Sequence, residues 1–257
     1  MLKHTIVYPL FLLTGFIALL AGIFGGSFAW FFVVVLLAVG ITAWGAFDIR
    51  LGYFTPTFFQ KKYNAEGRIA LTFDDGPSPY TTEVLQLLKA YQFKATFFCI
   101  GKHVLAYPDI TKQMIDEGHT LGNHTYSHRK SFGFLKEKDL VTELEKCNSI
   151  IYQTVGKIPK FFRPPFGVTN PSVAKAVQRT KQQIIGWSNR SLDTVTLEED
   201  KIVERVCKKL KAGDIILFHD TSQRTVNVLK RLLPYLQKQG YISVSVDDLL
   251  NLHGYEE

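Results

Sequence analysis

Two adjacent carboxylates, Asp74 and Asp75, stand where the apolar run Ile69-Ala70-Leu71 gives way to Gly76-Pro77. Adjacent carboxylates repel, so one is protonated or a cation stabilises the pair, and an active site can set the two to separate tasks. Further along, Asn123-His124-Thr125-Tyr126-Ser127-His128 spaces two histidines one helical turn apart, which on a helix lets both imidazoles converge on one ion. Asp75, His124 and His128 make a two-histidine, one-carboxylate set with room for water. That pattern is typical of catalytic zinc and open to other divalent metals: cobalt, nickel, manganese or iron. Asp74 is then left as the general base that takes a proton from the attacking water. Two surface histidines at a helix start are the bland alternative; the Asp-Asp turn at a strand end favours the metal.

Other residues fit around this set. Arg163 can hold Asp74 ionised and aimed, or form a structural salt bridge, and the two roles overlap. Pro164-Pro165-Phe166-Gly167 is a stiff turn in which the Phe166 N–H can face the oxyanion of a tetrahedral intermediate, or a turn with no catalytic part. Ile215-Ile216-Leu217-Phe218 ends in His219, placed as a general acid for a leaving amine, with Asp193 a candidate to orient it and raise its pKa. Asp220 is the rival partner, but as the next residue on a strand it should point away, and it receives no catalytic role. His119 precedes a strand and reads as a satisfied structural histidine.

These residues need a scaffold that gathers strand ends. Apolar runs alternate with helical patterns from Arg68 onward. The expected strands are Ile69 to Phe73, Ala95 to Ile100, Thr120 to Asn123, Lys160 to Arg163, Gln183 to Ser188, Asp214 to His219 and Ile242 to Val246. Helices are expected over Pro79 to Tyr91, capped by Ser78, and over Lys136 to Val155, Asn170 to Gln182, Glu198 to Leu210 and Thr225 to Gln239. The alternation predicts an α/β fold with a parallel sheet, open or closed into a barrel of about seven strands. In a β/α barrel the chemistry lies at the C-terminal strand ends, and Asp74, Asp75, His124, Arg163 and His219 all fall where apolar runs stop.

The segments TFDDGP at 72–77, HTYSH at 124–128, RPPFG at 163–167 and ILFHD at 216–220 resemble, in order, the motifs of the polysaccharide deacetylase family, the NodB-homology enzymes of carbohydrate esterase family 4. The resemblance spans roughly residues 65 to 250. It implies an irregular β/α barrel and metal-dependent removal of N-acetyl, or sometimes O-acetyl, groups from sugars. It implies Asp74 as base, Asp75, His124 and His128 as metal ligands, Arg163 as the orienter of Asp74, Leu217 as a wall of the acetyl pocket and His219 as acid. Where the family often has an Asp-x-x-Asp-Trp pattern, this chain has Arg190 for the earlier acid and Thr194 for the aromatic, while Asp193 remains; Phe166 stands where tyrosine is common. The lost aromatic wall removes a guide to which glycan binds.

The start of the chain has another character. Thr5 to Phe24 and Ala29 to Phe47 carry no charge and are each near the ~20 residues needed to span a bilayer. A cleaved signal peptide is the alternative, but Ser27-Phe28-Ala29 is a weak cleavage signal and a second apolar stretch follows at once. The expected organisation is a two-helix membrane anchor over 1–47, meeting the lipid bilayer through residues 5–47, a juxtamembrane linker without clear pattern over 48–67, and a catalytic domain over 68–257. Lys3 on one side and Arg50, Lys61 and Lys62 on the other favour both ends in the cytoplasm by the positive-inside rule, with an extracytoplasmic domain the alternative. The net charge of +7 belongs mostly to the domain, since Lys3, Asp48 and Arg50 are the only charges in the first fifty residues. A basic domain suits anionic head groups or an anionic glycan; no nucleic-acid motif or basic stripe is present, so nucleic acid is not an expected partner. Cys99, Cys147 and Cys207 form an odd, widely spaced set and read as reduced, buried residues.

The sequence thus points to a membrane-anchored, metal-dependent hydrolase that removes N-acetyl groups from an amino-sugar glycan. Alternatives are a deacetylase or deformylase of a lipid-linked sugar, an O-acetyl esterase, and a non-catalytic glycan-binding membrane protein.

Overall fold

The computed structural model describes residues 3–256. It begins with α1 (His4–Ile23) and α2 (Ala29–Phe47), an antiparallel pair joined by a short turn. Both are long and apolar enough to cross a membrane, and little of either is buried against protein. The end of α2 is tied to the rest of the chain: the Thr169 N–H donates to the Ala46 carbonyl at 3.0 Å, and Tyr53 packs against Gly45.

The remaining elements are β1 (Thr57–Phe58), β2 (Arg68–Asp74), α3 (Thr81–Ala90), β3 (Ala95–Cys99), α4 (Gly101–Ala106), α5 (Pro108–Asp116), β4 (Thr120–Asn123) and α6 (Glu137–Val155). They continue with β5 (Phe161–Phe162), α7 (Pro171–Arg179), β6 (Gln183–Ile185), β7 (Asn189–Arg190), α8 (Glu199–Lys209), β8 (Ile215–His219), α9 (Gln223–Lys238), β9 (Ile242–Ser243) and α10 (Val246–Leu250). Eight strands pair in the order β1-β6-β5-β4-β3-β2-β8-β7, and β9 pairs with β2 off this path. Every pairing between these strands is parallel.

The sheet is a curled half-barrel of eight strands rather than a barrel of about seven. Two stretches make the difference. The expected strand Gln183 to Ser188 breaks after Ile185: β6 lies between β1 and β5, and Asn189 has crossed to pair with β8. Gly186 sits at the crossing, where Ile49, Thr57 and Phe59 crowd the place a Cβ would take. The stretch 48–67, read from sequence as patternless, supplies edge strand β1 and buries Ile49 and Tyr53. Two residues of strand leave no period to detect in a sequence.

Side chains alternate across the sheet, as strands require. Ile69, Leu71 and Phe73 of β2 and Ile216 and Phe218 of β8 face the main core under the helices, whereas Ala70 and Ile215 join Phe98, Phe161 and Ile185 in a second cluster. Thr72 and Asp74 therefore share the inner face with Leu217 and His219. Register sets them side by side, Thr72 against Leu217 and Asp74 against His219.

Four of the five expected helices are shorter by one to four residues, the fifth, α9, starts two residues early at Gln223, and α4, α5 and α10 were not anticipated. Ser78 does not cap α3. The helix starts at Thr81, while the Ser78 hydroxyl accepts from the Tyr80 N–H and donates to the Asp220 carbonyl. The three cysteines are free; Cys99 and Cys147 are buried as expected, and Cys207 is half-buried.

Candidate active site

Asp74 ends β2 on its inner face, buried beside Arg163. The Arg163 guanidinium is wholly buried and makes four hydrogen bonds. Its Nη1 donates to Asp74 Oδ1 and Thr72 Oγ1 at 2.8 Å each, its Nη2 to the Gly186 carbonyl at 2.8 Å, and its Nε to the Ile185 carbonyl at 3.0 Å. It also lies over the Phe98 ring, 4.1 Å from the centroid. Arg163 thus bridges the strand break at Gly186 to the base candidate, and its structural and orienting roles are one arrangement. One Asp74 oxygen is engaged; Oδ2 faces His124, 3.9 Å from Nε2.

Asp75, His124 and His128 offer three ligand atoms within 4.8 Å of one another. The histidines do not lie on a helix. Residues 124–128 form a loop after β4, with Thr125 and His128 at φ 65° and 47°, left-handed values that non-glycine residues adopt at a cost. Loop closure, not helical periodicity, brings them together: Asn123 Oδ1 accepts from the Thr125 N–H, Thr125 Oγ1 from the His128 N–H, and the Glu143 carboxylate from the Ser127 N–H and hydroxyl. Asp75 is itself at φ 71°, and its carbonyl accepts from His103 Nδ1 at 2.7 Å. Gly76 is required next to it, because a Cβ there would strike the Asp220 carboxylate.

The donor chemistry fits a cation. His124 Nδ1 donates to the Arg163 carbonyl at 2.7 Å, which turns Nε2 toward Asp75 Oδ1 at 3.3 Å. His128 Nε2 lies 3.4 Å from the same oxygen, which is buried and has no hydrogen-bond partner among the described residues. With the proton of a neutral His124 on Nδ1, two lone pairs confront each other, and a positive charge between them resolves the conflict. The electrostatics agree. Burial opposes charge on His124, but Asp74 and Asp75 raise its pKa. Burial acts against ionised Asp75, yet His124, His128 and His219 hold it below the usual carboxylate range. A divalent metal meets the same demand for positive charge.

His219 closes β8 and pairs with Asp193: Nδ1 donates to Oδ1 at 2.9 Å, and the His219 N–H donates to Oδ2 at 2.8 Å. Thr225 Oγ1 donates to the same Oδ2, and Ser191 Oγ to Oδ1, so Asp193 is fully engaged and fully buried. Burial lowers the His219 pKa, but the Asp193 hydrogen bond and charge outweigh it and push it up to about 9. Asp220 points away from the cavity, with Thr81 Oγ1 donating to its carboxylate; burial raises its pKa to about 7.

Asp74, Asp75, His124, His128 and His219 line one cavity of about 200 Å³. Leu217, buried, and Phe166, exposed, form part of its wall, with Trp187, Arg190 and Thr194 at its margin. Phe166 sits at φ 59°, its ring edge-on to His128 at 5.0 Å. Gly167, at φ 69°, lets the Trp187 ring pack where a Cβ would stand. The sequence reading passed over Thr72, Glu143, His103 and Trp187. Only Thr72 carried a signal, since it lies two residues before Asp74 and so on the same face. His119 was expected to be satisfied; Nδ1 accepts from the Ala95 N–H at 3.2 Å, but Nε2 is buried without a partner among the described residues, and burial pushes its pKa down to about 4.

The family model described as polysaccharide deacetylase matches residues 61–185, beginning beyond the two apolar helices. A peptidoglycan-N-acetylglucosamine deacetylase of Bacillus cereus is 41% identical over 193 residues, covering 73% of this chain and 90% of the relative. The crystal structure of the Bc1960 peptidoglycan N-acetylglucosamine deacetylase aligns with a TM-score of 0.73 at 31% identity, over 78% of this chain and 95% of that one. BA3943 of Bacillus anthracis, described as a CE4 family pseudoenzyme, aligns with a TM-score of 0.70 at 27% identity, over 76% of this chain and 69% of that one.

Proposed function

The chain belongs to the polysaccharide deacetylase family, carbohydrate deacetylases acting on N-acetyl amide bonds, and from that premise we propose that it is a membrane-anchored, metal-dependent N-deacetylase of an amino-sugar glycan. The observation that carries the reading is one cavity in which Asp75, His124 and His128 meet, with Arg163-bound Asp74 on one side and Asp193-bound His219 on the other.

Asp75, His124 and His128 would hold the metal, zinc foremost for a two-histidine, one-carboxylate set. When bound, such an ion supplies Lewis-acid polarisation of a carbonyl and a lowered pKa for water. Asp74 takes the proton of the attacking water at Oδ2, because Oδ1 is committed to Arg163. Hydroxide adds to the amide carbonyl carbon, and the Phe166 N–H would donate to the oxyanion. His219, its Nδ1 held by Asp193, gives the proton on Nε2 to the amide nitrogen as the C–N bond breaks. The net reaction adds one water across that bond, releasing acetate and the sugar amine. Leu217 fits as a wall against the acetyl methyl.

The pseudoenzyme relative makes the non-catalytic reading concrete, since the fold can persist without the chemistry. Release of free amine from N-acetylglucosamine oligomers by purified, zinc-loaded protein tests the proposal. No amine from any N-acetyl or O-acetyl sugar in a panel would favour a binding protein, and acetate without amine an esterase. The two apolar helices and the charges that flank them support a hairpin anchor with the domain on the cytoplasmic side. Activity of an export-only reporter fused to the C-terminus would overturn that orientation.

A further inference from the structure

Trp187 and Arg190 line two cavities at once. One is the active-site cavity; the other, of about 430 Å³, lies between the end of α2 and the half-barrel. Four cations line the second cavity, Arg50, Arg190, Arg205 and Lys209, against one acid, Asp48. Asp48 is spent on Arg50 at 2.7 Å, and among the described residues Arg190, Arg205 and Lys209 form no ion pair. Arg205 and Lys209 lie one turn apart in the last turns of α8, and Arg205 Nε donates to the Arg190 carbonyl at 2.9 Å. The Arg190 guanidinium lies 5.7 Å from the Trp187 ring centroid, which holds it between the cavities. Like charges gathered without acids repel, and the arrangement suits an incoming polyanion that guanidinium groups can grip by paired hydrogen bonds.

The opposite wall is apolar. Trp44 and Phe47, both exposed, come from the last turn of α2. In a membrane-spanning α2 that turn lies at the interface, where aromatic rings settle and lipid phosphates reside. The cavity therefore adjoins the catalytic cavity across a shared wall of Trp187 and Arg190, and meets the lipid side at Trp44 and Phe47. A carboxylate brings a single charge; three unpaired cations match a diphosphate better.

We propose that this cavity binds the diphosphate of a lipid-linked amino sugar, so that the sugar reaches Asp74 and His219 while its lipid stays in the bilayer. The proposal rests on the deacetylase reading for its catalytic end and on the membrane reading of α2 for its lipid end. Its test is binding, which needs neither turnover nor metal. Full-length protein in phosphatidylcholine nanodiscs is titrated with polyprenyl-diphosphate N-acetylglucosamine, alongside the Arg205→Gln/Lys209→Gln and Arg205→Lys/Lys209→Arg double variants. The expected result is a Kd at least tenfold higher for the first variant and near wild type for the second, with thermal melting of all three unchanged. An unaltered Kd in the glutamine variant overturns the proposal. Equal competition by UDP-N-acetylglucosamine would overturn the lipid part, and equal competition by phosphatidylglycerol would reduce the cavity to a general head-group site. Binding without amine release would leave this inference standing and count against the deacetylase reading instead.

Discussion

Two charged pairs flank the cluster of Asp75, His124 and His128, and they are built in opposite ways. Arg163 and Asp74 lie inside the half-barrel, their side chains 0% and 5% exposed, with the guanidinium held by four acceptors, two on β2 and two at the end of β6. His219 and Asp193 sit at the cavity mouth, where Asp193 is buried but the histidine is 15% exposed. The inner pair places a permanent cation beside Asp74, since arginine stays charged at any working pH. The outer pair holds a proton across the neutral range, because the Asp193 hydrogen bond and charge push the His219 pKa up to about 9. In the proposed mechanism Asp74 as base must be held in place, whereas His219 as acid must part with its proton and recover it from solvent. The geometry separates those needs.

Breaking the inner pair should have the largest effect. Arg163→Met leaves a buried carboxylate without its cation and should cost about 3–5 kcal/mol of stability as well as activity, read by denaturant unfolding. The double variant Arg163→Met/Asp74→Leu should recover most of that stability and none of the activity; failure to recover would mean that Arg163 acts mainly through the carbonyls of Ile185 and Gly186. Asp74→Asn alone keeps an acceptor for Arg163. It should lower kcat by roughly 10²–10⁴-fold with metal content by elemental analysis unchanged, and full activity would remove Asp74 as the base.

The outer pair is sharpened by pH. A histidine raised by its partner keeps its proton up to the raised pKa and loses it above. Asp193→Asn should thus move the basic limb of kcat from near 9 toward the ordinary histidine value. From the ordinary pKa of ~6.5, the protonated fraction at pH 8 falls about 30-fold, while little changes at pH 6. An unmoved limb would show that His219 does not supply the proton. The smallest effect should come from Glu143→Gln, which weakens the hold on Ser127 between the two histidines. A loss of zinc affinity of about tenfold is expected, at the low end for groups that support metal ligands indirectly, and isothermal titration would measure it.

Much of the site was legible because its residues are local in sequence. Asp74-Asp75 ends an apolar strand, and His124 and His128 lie on one short loop, so type and spacing alone suggested the grouping. The helical reason for the histidine spacing was nevertheless wrong, because positive φ at Thr125 and His128 leaves no periodic mark. The pairing of His219 with Asp193 rather than Asp220 was readable from strand alternation, which turns Asp220 to the other face. Glu143 and Trp187 were invisible: they reach the site from a helix and a strand break whose sequences look like any other.

The chain's order of residues by itself determined the family's motifs, most of the strands, the apolar character of the first two helices and the identity of the groups available for acid, base and metal chemistry. Those properties depend on nearest neighbours, hydropathy and side-chain type. Tertiary structure decided the open half-barrel, the edge strand from residues 57–58, the four-way hold on Arg163 and the gathering of Arg190, Arg205 and Lys209 beside the end of α2. Each depends on where distant segments meet, and a contact between segments far apart in the chain is fixed by packing and backbone hydrogen bonding that no local pattern encodes.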